Sequence, residues 1–173
     1  DGQSPLHKSL LYNENQEVIW TLVEAGANIE AKDQDEETPL HYGARFHTNP
    51  DILRFFVTLG ANISARDQDE QTPLHHAARH NLNPDILKIL VALDAPLEAK
   101  EINGKTPLHL AASFNENPEC IECLYHLGAN FKALDDAGKT PLQCAENHGN
   151  LLEVIDLLKK LTFSLFINYS KIF

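Results

Sequence analysis

The 173-residue sequence contains no methionine, one tryptophan and three cysteines. Three thiols cannot build a disulfide framework, which points to a reducing, intracellular setting, cytoplasmic or nuclear. Without methionine, Asp1 is not a translation start, so the chain reads as a fragment or a processed product. No apolar run approaches the ~20 residues that a membrane helix needs. Basic residues are scarce: 14 Lys+Arg stand against 25 Asp+Glu, a formal net charge of −11. That balance argues against nucleic acid or an anionic membrane as partner, because attraction to phosphate needs Lys and Arg. There is no glycine-rich loop to cradle a phosphate, and no basic patch with interleaved aromatics. What is present is a 43% hydrophobic complement, enough for a packed core.

Self-comparison organises the rest. Ser4-Pro5-Leu6, Thr38-Pro39-Leu40, Thr72-Pro73-Leu74, Thr106-Pro107-Leu108 and Thr140-Pro141-Leu142 recur every 34 residues. His7, His41, His75 and His109 follow in four of the five, and Gln143 in the last. Gly26-Ala27-Asn28, Gly60-Ala61-Asn62 and Gly128-Ala129-Asn130 keep the same step, as do Asn49-Pro50-Asp51, Asn83-Pro84-Asp85 and Asn117-Pro118-Glu119. The units are 4–37, 38–71, 72–105, 106–139 and 140–173. Thr before Pro suits an N-cap followed by a residue whose missing N–H costs nothing in a first helical turn. Asn-Pro-Asp/Glu repeats that logic for a second helix and adds an acid at its positive end. Glycine then suits the left-handed stop.

These residues resemble ankyrin repeats: the Thr-Pro-Leu-His motif, the Gly-Ala-Asn ending and the helix–turn–helix–finger order match over essentially the whole chain. The resemblance implies an all-α solenoid of five stacked helix-turn-helix units with projecting finger turns, one domain over 1–173. It also implies a non-catalytic scaffold that binds a protein on a concave surface made by the fingers and first helices. The motif histidines are expected to brace their turns. The chain departs from the family pattern in several places. The usual period is ~33 residues, and the additional residue here lies around Phe46-His47-Thr48-Asn49-Pro50, a longer-turn variant compatible with a bacterial source. Glu36 and Glu70 stand where Gly104 and Gly138 mark the finger turn, and Asp94 replaces the terminal glycine of the third unit. A left-handed backbone at each would cost ~1–2 kcal/mol. Asp1-Gly2-Gln3-Ser4 matches the end of a preceding finger, so further repeats are expected upstream. Residues 161–173 carry Phe163, Leu165, Phe166, Ile167, Tyr169, Ile172 and Phe173, too apolar for a solvated tail, and are expected to pack on the last repeat or to begin another element, the alternative being a short linear motif for a partner or a membrane surface.

Other constellations give way to the register. Cys120 and Cys123 form a C-x-x-C, but they align with Ile52, Ile86 and Val154, and with Phe55, Ile89 and Leu157, which makes both core residues. His76 and His80 are spaced i, i+4, yet zinc wants three or four ligands and their stacked neighbours Tyr42, Leu110, Phe46 and Phe114 offer none. No metal and no cofactor is expected. The Asp-rich fingers lack the glycine and terminal Glu of a calcium loop.

The columns facing a partner are the residue after the motif histidine and the pair three positions further on. The expected partner-binding set is Tyr42, Arg45, Phe46, His76, Arg79, His80, Leu110, Ser113 and Phe114, with Asp35, Asp69 and Asn103 at the fingertips. Aromatic and Arg side chains, enriched at interface hot spots, dominate the middle units. The fingers grade in charge, from −4 over residues 30–37 and −2 over 64–71 to zero over 98–105 and 132–139. A basic partner segment, docking in one direction on a monomeric scaffold, fits that gradient. Alternatives are a substrate-targeting module of a larger enzyme and a host-directed bacterial effector.

Overall fold

Alternating Thr-Pro and Asn-Pro starts lay out paired helices in the computed structural model, which describes residues 1–12 and 15–169, with side chains through 163. In chain order the pairs are α1 (Pro5–Tyr12) with α2 (Gln16–Glu24), α3 (Pro39–Phe46) with α4 (Pro50–Thr58), and α5 (Pro73–His80) with α6 (Pro84–Ala92). They continue with α7 (Pro107–Phe114) and α8 (Pro118–His126), then α9 (Pro141–His148) and α10 (Leu152–Tyr169). The described residues contain no strand. An isolated eight-residue helix such as α3 is too short to persist in water. Stacking supplies what propensity does not. The motif leucines Leu6, Leu40, Leu74 and Leu108 are buried, and the second helices add Ile52, Leu53, Phe56, Ile86, Leu90, Ile121 and Leu124 to the same continuous core. Cys120 and Cys123 are buried within it as the register requires. Burial pushes the Cys120 thiol up to about 12 and raises Cys123 as well, so neither supplies a thiolate near neutral pH.

The starts are built as their residue types dictate. The Asn49, Asn83 and Asn117 side chains accept the N–H of Asp51, Asp85 and Glu119 at 2.9–3.0 Å. The first helices pack on one another more closely than the second helices do, through α3·α5, α5·α7 and α7·α9, and small residues such as Ala77, Ala78, Ala111 and Ala112 permit that approach. This tight row, with the fingers that fold back on it, forms one side of the stack, its inner face.

The longer inter-helix turn has a structural job. Asn81 sends its amide into the preceding unit, donating to the carbonyls of Ala44 (3.0 Å) and His47 (2.9 Å). Asn115 repeats this to Ala78 and Asn81, and Asn150 to Ala112 and Asn115. Asn83 and Asn117 form a parallel row, donating to Thr48 and Leu82. The turns are thus stitched to each other by amide ladders.

The fingers form a ladder too. Gln68, Ile102 and Asp136 donate backbone N–H groups to the carbonyls of Asp35, Asp69 and Asn103, each at 3.0 Å. Glu36 and Glu70 keep the left-handed backbone of the turn, with φ of 59° at both, and Asp94 has φ 67°. The turn does not relax to another type, because the ladder and the carboxylate brace described below fix it. Gly104 takes the same conformation with φ 73°, and a Cβ there would lie 2.9 Å from the backbone nitrogen of Asp136, so that position is also sterically tight. Glu70→Gly should therefore stabilise the protein by about 0.5–1 kcal/mol, the relieved strain exceeding the added unfolded-state entropy. A urea-midpoint shift to higher denaturant checks it; Gly104→Ala should shift the midpoint the other way.

The last helix runs on. Gly26 and Gly60 terminate α2 and α4 in left-handed conformations, whereas Thr162 holds that register in the last unit and α10 continues through to Tyr169. Leu161 packs on the core, while Phe163 is exposed. The side chains of Leu165, Phe166, Ile167 and Tyr169, and all of Ile172 and Phe173, lie outside the described residues.

Candidate protein-binding face

Each finger is held by one carboxylate in a repeated local design. Asp33 Oδ1 accepts the N–H of Asp35 and of Glu37. Asp67 does the same for Asp69 and Gln71, Asp135 for Ala137 and Lys139, and the longer Glu101 for Asn103 and Lys105. The second oxygen is met from the following helix, nine residues on. Tyr42 donates its hydroxyl to Asp33 Oδ2 at 2.9 Å, His76 donates Nε2–H to Asp67 Oδ2 at 2.7 Å, and the Cys144 thiol lies 3.5 Å from Asp135 Oδ2. Leu110 cannot donate, and there Asn103 bonds Glu101 Oε2 instead.

This arrangement decides the position after the motif histidine. Tyr42, His76 and Leu110, expected from the sequence at the partner surface, are only 5%, 2% and 3% exposed. Ser113, also in that set, is 5% exposed and donates to the His109 carbonyl. All four sit beneath the surface, and Tyr42 and His76 hold the fingers in shape. The finger carboxylates Asp33, Asp67, Glu101 and Asp135 are absent from the expected set. Their signal in the sequence is the constant nine-residue offset within a 34-residue period, which becomes meaningful only once the finger is known to fold back on the helix.

Below lies the motif-histidine row. His41 Nδ1 accepts the Thr38 N–H at 3.1 Å with the Thr38 hydroxyl at 2.9 Å, and Nε2 donates to the carbonyl of Gln71, thirty residues on, at 3.2 Å. His75 and His109 reach the carbonyls of Lys105 and Lys139 in the same way, and His7 that of Glu37. The rings thus brace their own turn, and they also tie it to the next finger. Burial holds His41 down at about 3 and His75 at about 4, so both are neutral near pH 7. Gln143 reproduces the first half of the device: its Oε1 accepts the Thr140 N–H at 2.9 Å.

At the second and third units these layers meet in a polar cluster. Arg45 donates Nη2–H to Glu37 Oε1 at 2.5 Å and Nε–H to His76 Nδ1 at 3.0 Å, and Nη2 also lies against that Nδ1. His76 therefore carries its proton on Nε2, toward Asp67, and accepts at Nδ1. Burial, then Arg45, holds its pKa well below the ordinary histidine value. Burial also raises the Glu37 carboxyl, with Arg45 pulling the other way. Ligand atoms of Glu37, Asp67 and His76 lie within 4.8 Å of one another, a geometry open to a cation in principle. Here the Arg45 guanidinium bonds both Glu37 and His76 from within the cluster and supplies the positive charge itself.

Above the cluster is the accessible part of the expected set. Phe46 is 43% exposed, His80 is exposed, and Arg45, Arg79 and Phe114 are half-buried. Arg45 lies 5.3 Å from the centroid of Phe46, and Arg79 lies 4.2 Å from that of Phe114, whose ring meets the His148 ring edge-on at 4.9 Å. Asp35, Asp69 and Asn103 are exposed at the fingertips. Asp35 accepts from the Gln68 side chain at 3.1 Å. The structure thus brings together a row of aromatic and guanidinium groups on a braced floor, flanked by the fingertips. A family model described as Ankyrin repeats (3 copies) matches residues 1–67, 44–135 and 74–168. The chain belongs to the ankyrin-repeat family. Ankyrin arrays are non-catalytic scaffolds that mediate protein–protein interaction, and the described residues of this array assemble no catalytic motif: the His76–Asp67 pair has its free nitrogen occupied by Arg45. No described helix is long and apolar enough to cross a membrane. No curated protein matches the chain.

Proposed function

We propose that the inner face of this ankyrin array recognises a protein segment through Phe46, Arg79, His80 and Phe114, with Arg45 at its edge and Asp35, Asp69 and Asn103 on the fingertips. The observation that carries the reading is the contrast between layers. Tyr42 and His76 are consumed in holding the fingers and Leu110 and Ser113 are buried, while the aromatic and guanidinium groups above them remain accessible. Such side chains on a stiff support bind with little ordering cost. The acidic N-terminal fingers, net −4 over residues 30–37, favour a basic flank of the partner at that end, acting through steering more than affinity. The protein acts as a monomer in this reading.

Paired affinity capture tests the face. One bait is the chain as it stands, and the other carries Phe46→Ala, Arg79→Ala and Phe114→Ala with helicity checked by circular dichroism. Proteins retained by the first bait should be lost from the second by about 10-fold or more, as expected when several hot-spot side chains are removed. Equal retention by both would move the binding site elsewhere on the array.

A further inference from the structure

Arg79 is the counterpart of Arg45 one repeat on, and the two are placed very differently. Arg45 is satisfied by Glu37 and by His76. Thirty-four residues on, the equivalents of those partners are Gln71 and Leu110. Neither brings a negative charge, and Leu110 brings no polar atom. Among the described residues Arg79 has no ion pair and no hydrogen bond, and its Nε is buried without an acceptor. The next residues in the Glu37 column are Lys105 and Lys139, so the inner face beyond the second unit carries cations without the acid that compensates Arg45. His80 registers the same imbalance. Although part of its surface is open to solvent, desolvation of the rest holds it down at about 4, and the charges of Arg45 and Arg79 add to that effect. Meanwhile the Phe114 ring, 4.2 Å from the guanidinium carbon, holds the head group and limits its freedom.

A planar guanidinium that is held on an aromatic ring, partly desolvated and unpaired is a receptor for a carboxylate, which matches its fork of donors. We propose that Arg79 receives an Asp or Glu side chain of the bound protein segment, held over Phe114 on the inner face. This rests on the inner-face reading above and adds the chemistry of its central contact. The recognised segment is then two-signed: a basic flank toward the fingers at residues 30–37 and an acid one to two repeats further along. An all-basic segment would leave Arg79 uncompensated and meet repulsion there.

The test uses the intact 173-residue chain and peptides selected on it from a random phage-displayed dodecapeptide library. Selected sequences should share an acidic position. Affinities of each peptide and its Glu→Gln or Asp→Asn twin are then measured by fluorescence anisotropy against the wild type, Arg79→Gln, Arg79→Lys and Phe46→Ala, each checked by circular dichroism. The acid-to-amide change should weaken binding to the wild type by about 10–100-fold and leave binding to Arg79→Gln nearly unchanged, with Arg79→Lys intermediate. Binding of the acidic peptide should also raise the imidazole titration of His80, followed by NMR, while the amide twin does not. Peptides that lose affinity with Phe46→Ala but bind Arg79→Gln as tightly as the wild type would overturn the carboxylate contact and leave the inner-face reading standing. Peptides indifferent to both positions would overturn both. A library giving no acidic consensus, or no binder above the Arg79→Gln background, overturns the proposal.

Discussion

Arg45→Met should lower the unfolding free energy by about 2–4 kcal/mol, toward the lower end of what breaking a buried ion pair costs, because Arg45 keeps part of its surface in water. The loss comes from what is left behind more than from the pair itself. Glu37 is only 7% exposed, and its carboxyl is already raised by burial. Removing Arg45 deprives it of its 2.5 Å partner and deprives His76 Nδ1 of the donor that fixes its orientation toward Asp67. The finger held by Asp67 loosens in turn. The expected signature is a lower urea midpoint with recovery in the double variant Arg45→Met/Glu37→Gln, where no buried charge is stranded. A double variant as unstable as the sum of the two single changes would show that Arg45 and Glu37 do not act as a pair.

Acid should weaken the array through its histidine row. A base whose folded pKa lies below its unfolded value binds fewer protons in the native state, so stability falls as pH drops through the interval between the two. For His41 the interval runs from the ordinary 6.5 down to about 3, and for His75 from 6.5 down to about 4. Between pH 7 and pH 5 each contributes a loss of about 2 kcal/mol, roughly 4 kcal/mol together. His76, lowered by burial and by Arg45, works in the same direction; Glu37, raised by burial, works against it as a single group. His75→Gln is the informative variant, because Gln143 shows that glutamine keeps the bond to the capping threonine. The variant should lose about 1 kcal/mol at pH 7 with the missing bond to the Lys105 carbonyl. Its further loss between pH 7 and pH 5 should be smaller than that of the wild type by about 2 kcal/mol. Urea titrations at the two pH values measure this; parallel slopes would remove His75 from the explanation.

Both predictions concern residues whose roles were unequally legible. The helix starts were readable because a cap is a local event: Thr-Pro and Asn-Pro act within one turn, and each begins a helix where the register placed it. The core was readable for a related reason. In a solenoid each unit contacts its neighbours in the same way, so a column of Leu6, Leu40, Leu74 and Leu108 can be recognised by spacing alone. The run-on of α10 beyond Thr162 is foreshadowed by the missing glycine stop. Ankyrin identity follows from the same repeated local signals.

What the sequence alone determined is this column structure: which positions repeat, which of them cap helices and which are apolar. Tertiary structure decided the sign of each polar position, inward or outward. Tyr42 and Phe46 are both aromatic and four residues apart on one helix, yet the first is buried against Asp33 and the second is 43% exposed. Arg45 and Arg79 share a column, yet one is locked to Glu37 and the other meets no acid among the described residues. Neither outcome is set by residue type or by periodicity. Each depends on how far the finger of the same unit folds back over the first helix and on which side chain the next unit brings alongside, and those distances exist only once the repeats are stacked.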